Sequence, residues 1–511
     1  MIRTHFRITI SGVSISNPTS PDVSVTRPGT STPAANPHPR ARWIVLAVAA
    51  LAQLMVVLDG TIVNIALPAA QMELGMSDSD RSWVVTIYAL AFGSLLLLGG
   101  RVADFWGRKR SFIVGMAGFA VASAVGGLAT TTEMLLFARG LQGVFAALLA
   151  PAALALLSVT FPSGPDRVKA FAVFGTIAGS GAAVGLLLGG VLTEYLSWHW
   201  CLLVNIPIAL VAIIAAIPLV SESRADGDTR YDVLGAILVT GGLGSIVYGF
   251  ARAELGWGRV DTIGFLAAGV VLMVAFVWWE TRASNPLLPL RVVFDRVRGG
   301  AFIVSVIIGA ALLGGLLFLT FHFQIVMGMS PLVSGLASLP MALTIMVSAA
   351  FVARLLPVVG PRVLMTGGPI LAAAGLFWFS RITVDGVYAV QVLPGQILLG
   401  IGLAMVFVPM QNLALAGIDA RDAGVAGAAL TATQQIGGSI GIAVFTALYA
   451  SAVANFDVSS SANPLSALVD GYSTVFVAAA IGLLVGAVIA WFMIRVPKGT
   501  FSVNPEAVHV G

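Results

Sequence analysis

The chain has 511 residues, of which 58% are hydrophobic and only 10% charged. Soluble domains carry about 25% charged residues, so a chain this size cannot be covered against water, and most of it must face lipid. The balance of +4 is spread over short loops, which argues against a nucleic-acid partner; the single Cys201 excludes an internal disulfide, and His5, His38, His199, His322 and His509 lack metal-ligand spacing.

Residues 1–42 are rich in Ser, Thr and Pro and are expected to form a disordered tail. They lack the apolar core of a signal peptide. Fourteen apolar runs follow, predicting helices over 43–68, 82–99, 111–130, 134–158, 168–193, 200–220, 233–251, 262–280, 300–323, 331–356, 362–381, 388–416, 423–453 and 471–494. The run 423–453 is long enough to need a break or a tilt. A short polar tail, 496–511, closes the chain.

An even number of spans places both termini on one side, and cytoplasmic loops are enriched in Lys and Arg. With the termini inside, all but five of the 27 basic residues are cytoplasmic. The exceptions are Arg81, Arg252, Arg259 and Arg381 in outer loops and Arg139 within a span. The predicted organisation is an all-α membrane protein with a six-helix unit (43–220), a two-helix insertion (221–299) and a second six-helix unit (300–495). A faint internal echo supports it. In ARLLPVVGPR, Arg354 and Gly360 follow the tenth run as Arg101 and Gly107 follow the second in GRVADFWGRK, with Pro357 in place of Asp104. Such repeats mark secondary transporters, which bind substrate between the halves. Asp232 and Glu280, near the cytoplasmic ends of the inserted pair, are expected to meet water.

Four stretches carry the candidate chemistry. In LDGTIVNIALPAA, Asp59 is the only acid well inside any predicted span. A carboxylate there costs about 2.5–3.5 kcal/mol on insertion scales, so it is a functional candidate by default. In GGRVADFWGRKR, Gly100 and Gly107 suit a tight turn and close helix approach, Arg108, Lys109 and Arg110 supply inside charge, and Asp104 is expected to cap the next helix and pair with a basic residue. In FARGLQG, Arg139 cannot be neutralised and needs a carboxylate, carbonyl or water partner; a surface alternative is Glu133. In GTIAGSGAAVGLLLGG, Gly181, Gly185 and Gly189 recur every four residues and form a smooth face for close packing, with Gly190 beside them. Polar or aromatic residues inside spans are candidate cavity groups: Asn64, Trp83, Tyr88, Phe318, His322, Gln324, Gln396, Gln411, Asn412, Gln434 and Gln435.

These stretches, with YLSWHWCLLVNIP, FQIVMGMSPLVSGLASLP and DAGVAGAALTATQQIGGSIGIAVF, resemble in order the motifs of the major facilitator superfamily. Within it they resemble the fourteen-span drug:proton antiporters, over about residues 43 to 495. The resemblance implies proton coupling at Arg139 and Gln142 beside Asp59, a cytoplasmic latch at Gly100, Asp104, Gly107, Arg108 and Lys109, and an antiport-type glycine face of Gly181, Gly185, Gly189 and Gly190. That face departs from the pattern, with Leu186 where Pro is expected. The expected protein is a multi-pass exporter in the cell membrane that acts as a monomer in the lipid bilayer. Its substrate is a lipophilic or cationic small molecule, and it has no cofactor beyond protons as coupling ion. The alternative is a dedicated exporter of one metabolite or antibiotic. A membrane enzyme lacks a catalytic constellation here, direct ATP drive lacks the phosphate loop GxxxxGK[ST], and a receptor lacks a soluble domain.

Overall fold

The computed structural model describes residues 39–162, 164–224, 231–415, 423–457 and 463–495, so most of the first tail and all of the last lie outside it. Among the described residues, fourteen helices are long and apolar enough to span a bilayer. They are α1 (Arg42–Leu74), α2 (Asp78–Trp106), α3 (Arg108–Gly127), α4 (Thr132–Thr160), α5 (Pro165–Tyr195), α6 (Trp200–Leu219) and α7 (Val233–Arg252). The rest are α8 (Val260–Glu280), α9 (Arg296–Val326), α10 (Pro331–Val359), α11 (Pro361–Phe379), α12 (Tyr388–Ala414), α13 (Val425–Asn455) and α14 (Ser466–Met493). The fold is all-α, as the apolar runs predict, and α13 is one unbroken helix.

Local chemistry sets the helix ends. Ser77 and Asp80 form a reciprocal capping box at the start of α2. Thr131 caps α4, and Ser330 followed by Pro331 starts α10. Two of the sharpest corners are single glycines with positive φ: Gly107 (129°) joins α2 to α3, and Gly360 (84°) joins α10 to α11. The echoed glycines therefore do the same mechanical job.

Several helices run well past their apolar runs. The 29 residues of α2 extend about 43 Å at 1.5 Å per residue, against about 30 Å of hydrocarbon. The extra turns bring Arg81 at one end and Asp104 at the other into helix rather than loop.

The packing pattern repeats. In the first six helices, α1 packs on α4, α5 and α6, and α4 and α6 also pack on α3. Shifted by eight, α9 packs on α12, α13 and α14, and α12 and α14 pack on α11. Between the two sets, α2 lies along α13 and α5 along α10. Helix α8 packs chiefly on α7, whereas α7 touches both α2 and α13, so it lies on the seam rather than beside it. The expectation that water reaches both acids of this pair is corrected: Glu280 is buried, with Oε2 accepting from the Leu288 amide. Asp232 accepts from Gly235 N, Trp279 Nε1 and Leu287 N, because it caps α7 and closes the 281–289 turn over itself.

Candidate functional site

The centre of the first six helices holds a closed polar network. Asp59 on α1 is fully buried, and Arg139 on α4 reaches it through Nη1 at 2.5 Å. The same Nη1 donates to Gln142 Oε1 at 2.8 Å, while Arg139 Nε donates to the Val84 carbonyl at 3.1 Å. Gln142 Nε2 donates to Asp59 Oδ1 at 3.0 Å and to Ser123 Oγ at 2.8 Å. Asn205 Nδ2 donates to Asp59 Oδ1 at 2.9 Å. The guanidinium lies 4.3 Å from the ring centroid of Tyr88, whose hydroxyl donates to the Val56 carbonyl.

Sequence geometry explains this convergence. Arg139 and Gln142 are three apart, on one face of α4. Gly143 lets that face approach α2: a Cβ there would sit 2.6 Å from the Tyr88 carbonyl. Asn205 follows the interruption of α6 at Val204. Ser123 and Asn205 were not singled out by sequence; a polar residue at a helix break inside an apolar run was the available signal for Asn205. The Glu133 alternative for Arg139 is replaced by Asp59.

The glycine face packs as its spacing implies, against α1. A Cβ on Gly181 would lie 3.0 Å from Val57 Cγ1, one on Gly185 would strike Thr61, and one on Gly189 would lie 2.9 Å from the Ile62 carbonyl. Gly190 does not share that face: its Cβ would meet Leu332 of α10 at 2.7 Å. The next residue in a helix turns by about 100°, which carries Gly190 to the seam. Leu186, in place of the expected Pro, is buried, and its carbonyl faces Gly335 of α10.

At the α2–α3 corner, Asp104 pairs with Arg108 at 2.9 Å. It does not cap α3, because it lies in the last turn of α2. The cap is Glu222, whose carboxylate accepts from the amides of Lys109 (3.1 Å) and Arg110 (3.3 Å). Lys109 Nζ donates to the Ile217 carbonyl, and Arg101 donates to the Pro286 carbonyl. A Cβ on Gly107 would lie 2.7 Å from the Glu222 carboxyl, so glycine is required twice, for φ and for this cap. Gly100 lies within α2 rather than at a turn, and a Cβ there would meet Pro151 only at ordinary contact distance, 3.6 Å.

The cavity candidates are not gathered in one place. Trp83 faces Tyr248 of α7, beside a pocket of about 10 Å³ that has room for roughly one water. Gln324 donates to the Ile65 carbonyl, tying α9 to α1, and Gln396 donates to the Ala337 carbonyl. Gln411 and Asn412 are exposed, and Asn412 is spent on the Val408 carbonyl of its own helix. Gln434 and Gln435 are half-buried; the Gln434 carbonyl packs on Gly309, and Gln435 lies against Gly93 of α2. Asn64 is buried with Oδ1 unpartnered. Phe318 and His322 lie in an aromatic cluster of α9, α13 and α14, His322 at the start of a π-helical turn (His322–Val326).

Comparison with known proteins agrees with this architecture. Residues 49–442 match the family model described as Major Facilitator Superfamily, and the chain belongs to that family of membrane transporters. It is a multi-pass cell-membrane transporter of small molecules, not an enzyme. It is 47% identical to the puromycin resistance protein pur8 of Streptomyces alboniger, over 93% of this chain and 95% of that one. It is 36% identical to the cephamycin export protein CmcT of Amycolatopsis lactamdurans, over 91% and 94%. Among solved structures it resembles the POT family transporter PepTSo (TM-score 0.65, 15% identity, 89% and 99% covered). It also resembles the nucleoside transporter NupG (0.62, 14%, 88% and 100%). At those identities the likeness concerns the fold alone.

Proposed function

We propose that this protein is a proton-driven antiporter that exports lipophilic, antibiotic-like small molecules by alternating access. In this reading α1–α6 and α9–α14 are the two rocking halves, α7–α8 are an insertion, and both termini are cytoplasmic. The observation that carries it is the buried Asp59–Arg139 pair. Charge inside a membrane is kept where it works, and uphill export needs a downhill step. Relatives named for resistance to or export of antibiotics support an antibiotic-like substrate; the alternative is a dedicated exporter of one metabolite or antibiotic.

Asp59 is the proton carrier. In the conformation described, Asp59 Oδ1 accepts from Gln142 and Asn205 and Oδ2 accepts from Arg139, so three donors, one of them a cation, hold the carboxylate in place. A shift of α4 against α1 within the first half, coupled to the rocking, frees the carboxylate for a proton from outside; the return stroke restores Arg139 and expels the proton inward. Tyr88 and Ser123 hold the partners in register. The Gly107 corner, clamped by Glu222 and by Asp104–Arg108, acts as the cytoplasmic latch. No cofactor takes part, and the monomer is the working unit.

The test is drug-induced proton movement in proteoliposomes with an imposed pH gradient. Native protein couples the two fluxes; Asp59→Asn inserts and folds but moves no protons with drug. Normal coupling in Asp59→Asn eliminates Asp59 as the carrier.

A further inference from the structure

An aromatic cluster fills α9, α13 and α14 near the end of the molecule that carries the α1–α2 turn. Tyr449 and Tyr472 stack with centroids 5.4 Å apart and planes 12° from parallel. Phe318 lies 5.5 Å from Tyr449, 6.0 Å from Tyr472 and 5.9 Å from Phe321. All four rings are at least nine-tenths buried. A polar atom beside them lacks a hydrogen-bond partner: His322 Nδ1, on a ring 6.3 Å from that of Tyr472. Buried polar groups are rarely left so.

The cluster already receives a cation, from the other half of the molecule. Arg81 on α2 places its guanidinium 3.5 Å from the Phe321 centroid and is 2% exposed. Gln71 Oε1 (2.7 Å) and Asp78 (3.3 Å) steady it, while its Nε finds no partner. Three further contacts shut the same end: Gln324 on Ile65, Thr446 on Ser82, and Glu194 on Ser330 and the Leu332 amide. The Phe321 ring faces the cation and the other rings stand behind it, and aromatic faces of this kind hold lipophilic cations. Here its occupant is tethered to the opposite half.

We propose that Phe318, Phe321, Tyr449 and Tyr472 form a binding site for aromatic or quaternary cations, and that Arg81 fills it as a tethered competitor when this end is closed. Opening the end withdraws Arg81 with α2 and leaves the rings to a ligand. Reclosing returns Arg81 and makes release one-way. The export reading supplies only the direction of travel.

The probe is tetraphenylphosphonium, bound to purified full-length protein in detergent with no proton gradient. Spin labels at Leu128→Cys and Val387→Cys, both exposed, report opening of this end, with the buried Cys201 replaced by Ser. Arg81→Gln is expected to raise affinity for the probe roughly threefold to thirtyfold, the range that cation–π contacts span from exposed to desolvated sites, and to populate longer label distances. Arg81→Lys, which keeps the cation, stays near native in both and controls for folding. Adding Phe321→Leu to Arg81→Gln removes the gain. Unchanged affinity in Arg81→Gln, or a gain that survives Phe321→Leu, overturns the proposal. Failure of the export reading looks different: native protein without proton-coupled flux, these binding results intact.

Discussion

The two six-helix sets repeat one packing scheme around unlike cores. The first encloses an ionic network, with Asp59, Arg139, Gln142, Asn205 and Ser123 all buried and joined. The second encloses stacked aromatic rings, with His322 its buried imidazole. A repeated scaffold thus tolerates opposite interiors, because helix packing constrains side-chain volume and close approach rather than charge. Under the proposed function the contrast becomes a division of labour: one half would hold the coupling charge, the other an apolar, π-rich surface for ligand.

The sharpest way to break that division is Asp59→Asn, expected to abolish proton-driven export while downhill drug exchange persists in proteoliposomes. Next is Arg139→Ala, which leaves a buried carboxylate unpaired. It is expected to lower stability by about 3–5 kcal/mol, read as a fall in melting temperature in detergent. Asp59→Asn combined with Arg139→Gln should recover most of that stability and none of the coupling. Recovery of coupling would deny the pair its role.

A smaller effect is expected at the corner. Glu222→Gln removes the charge that caps α3 and should cost about 1 kcal/mol, slowing export of every substrate alike; Asp104→Asn should act in the same sense. Loss confined to one substrate, in matched transport assays, would make this corner a ligand contact instead. Between the halves, Gly190→Ala presses on Leu332, whereas Gly185→Ala presses on Thr61 within the first half. Label distances across the seam should change for Gly190→Ala alone. The smallest effect is expected from Glu280→Gln, which keeps the acceptor for Leu288 and lies on the α7–α8 insertion. Well-inserted Glu280→Gln that fails to transport would bring the insertion into coupling.

The sequence alone determined fourteen spans, the glycine turn at 107 with its echo at 360, and Asp59 with Arg139 as the charges needing a partner. These follow from local rules: apolar run length, positive φ at glycine, and the cost of charge in lipid. Their partners were decided only by tertiary structure, since Asp59 meets residues 80 to 146 positions away. Hydropathy also ends where a run ends, not where a helix ends. It therefore placed Arg81 in a loop, whereas the capping box at Ser77 carries α2 past it and onto the ring of Phe321. For the same reason Asp104 looked free to cap α3, a task the fold gives to Glu222, more than 100 residues on. Which polar group satisfies which is a property of pairs, and pairs form only when helices distant in sequence pack side by side.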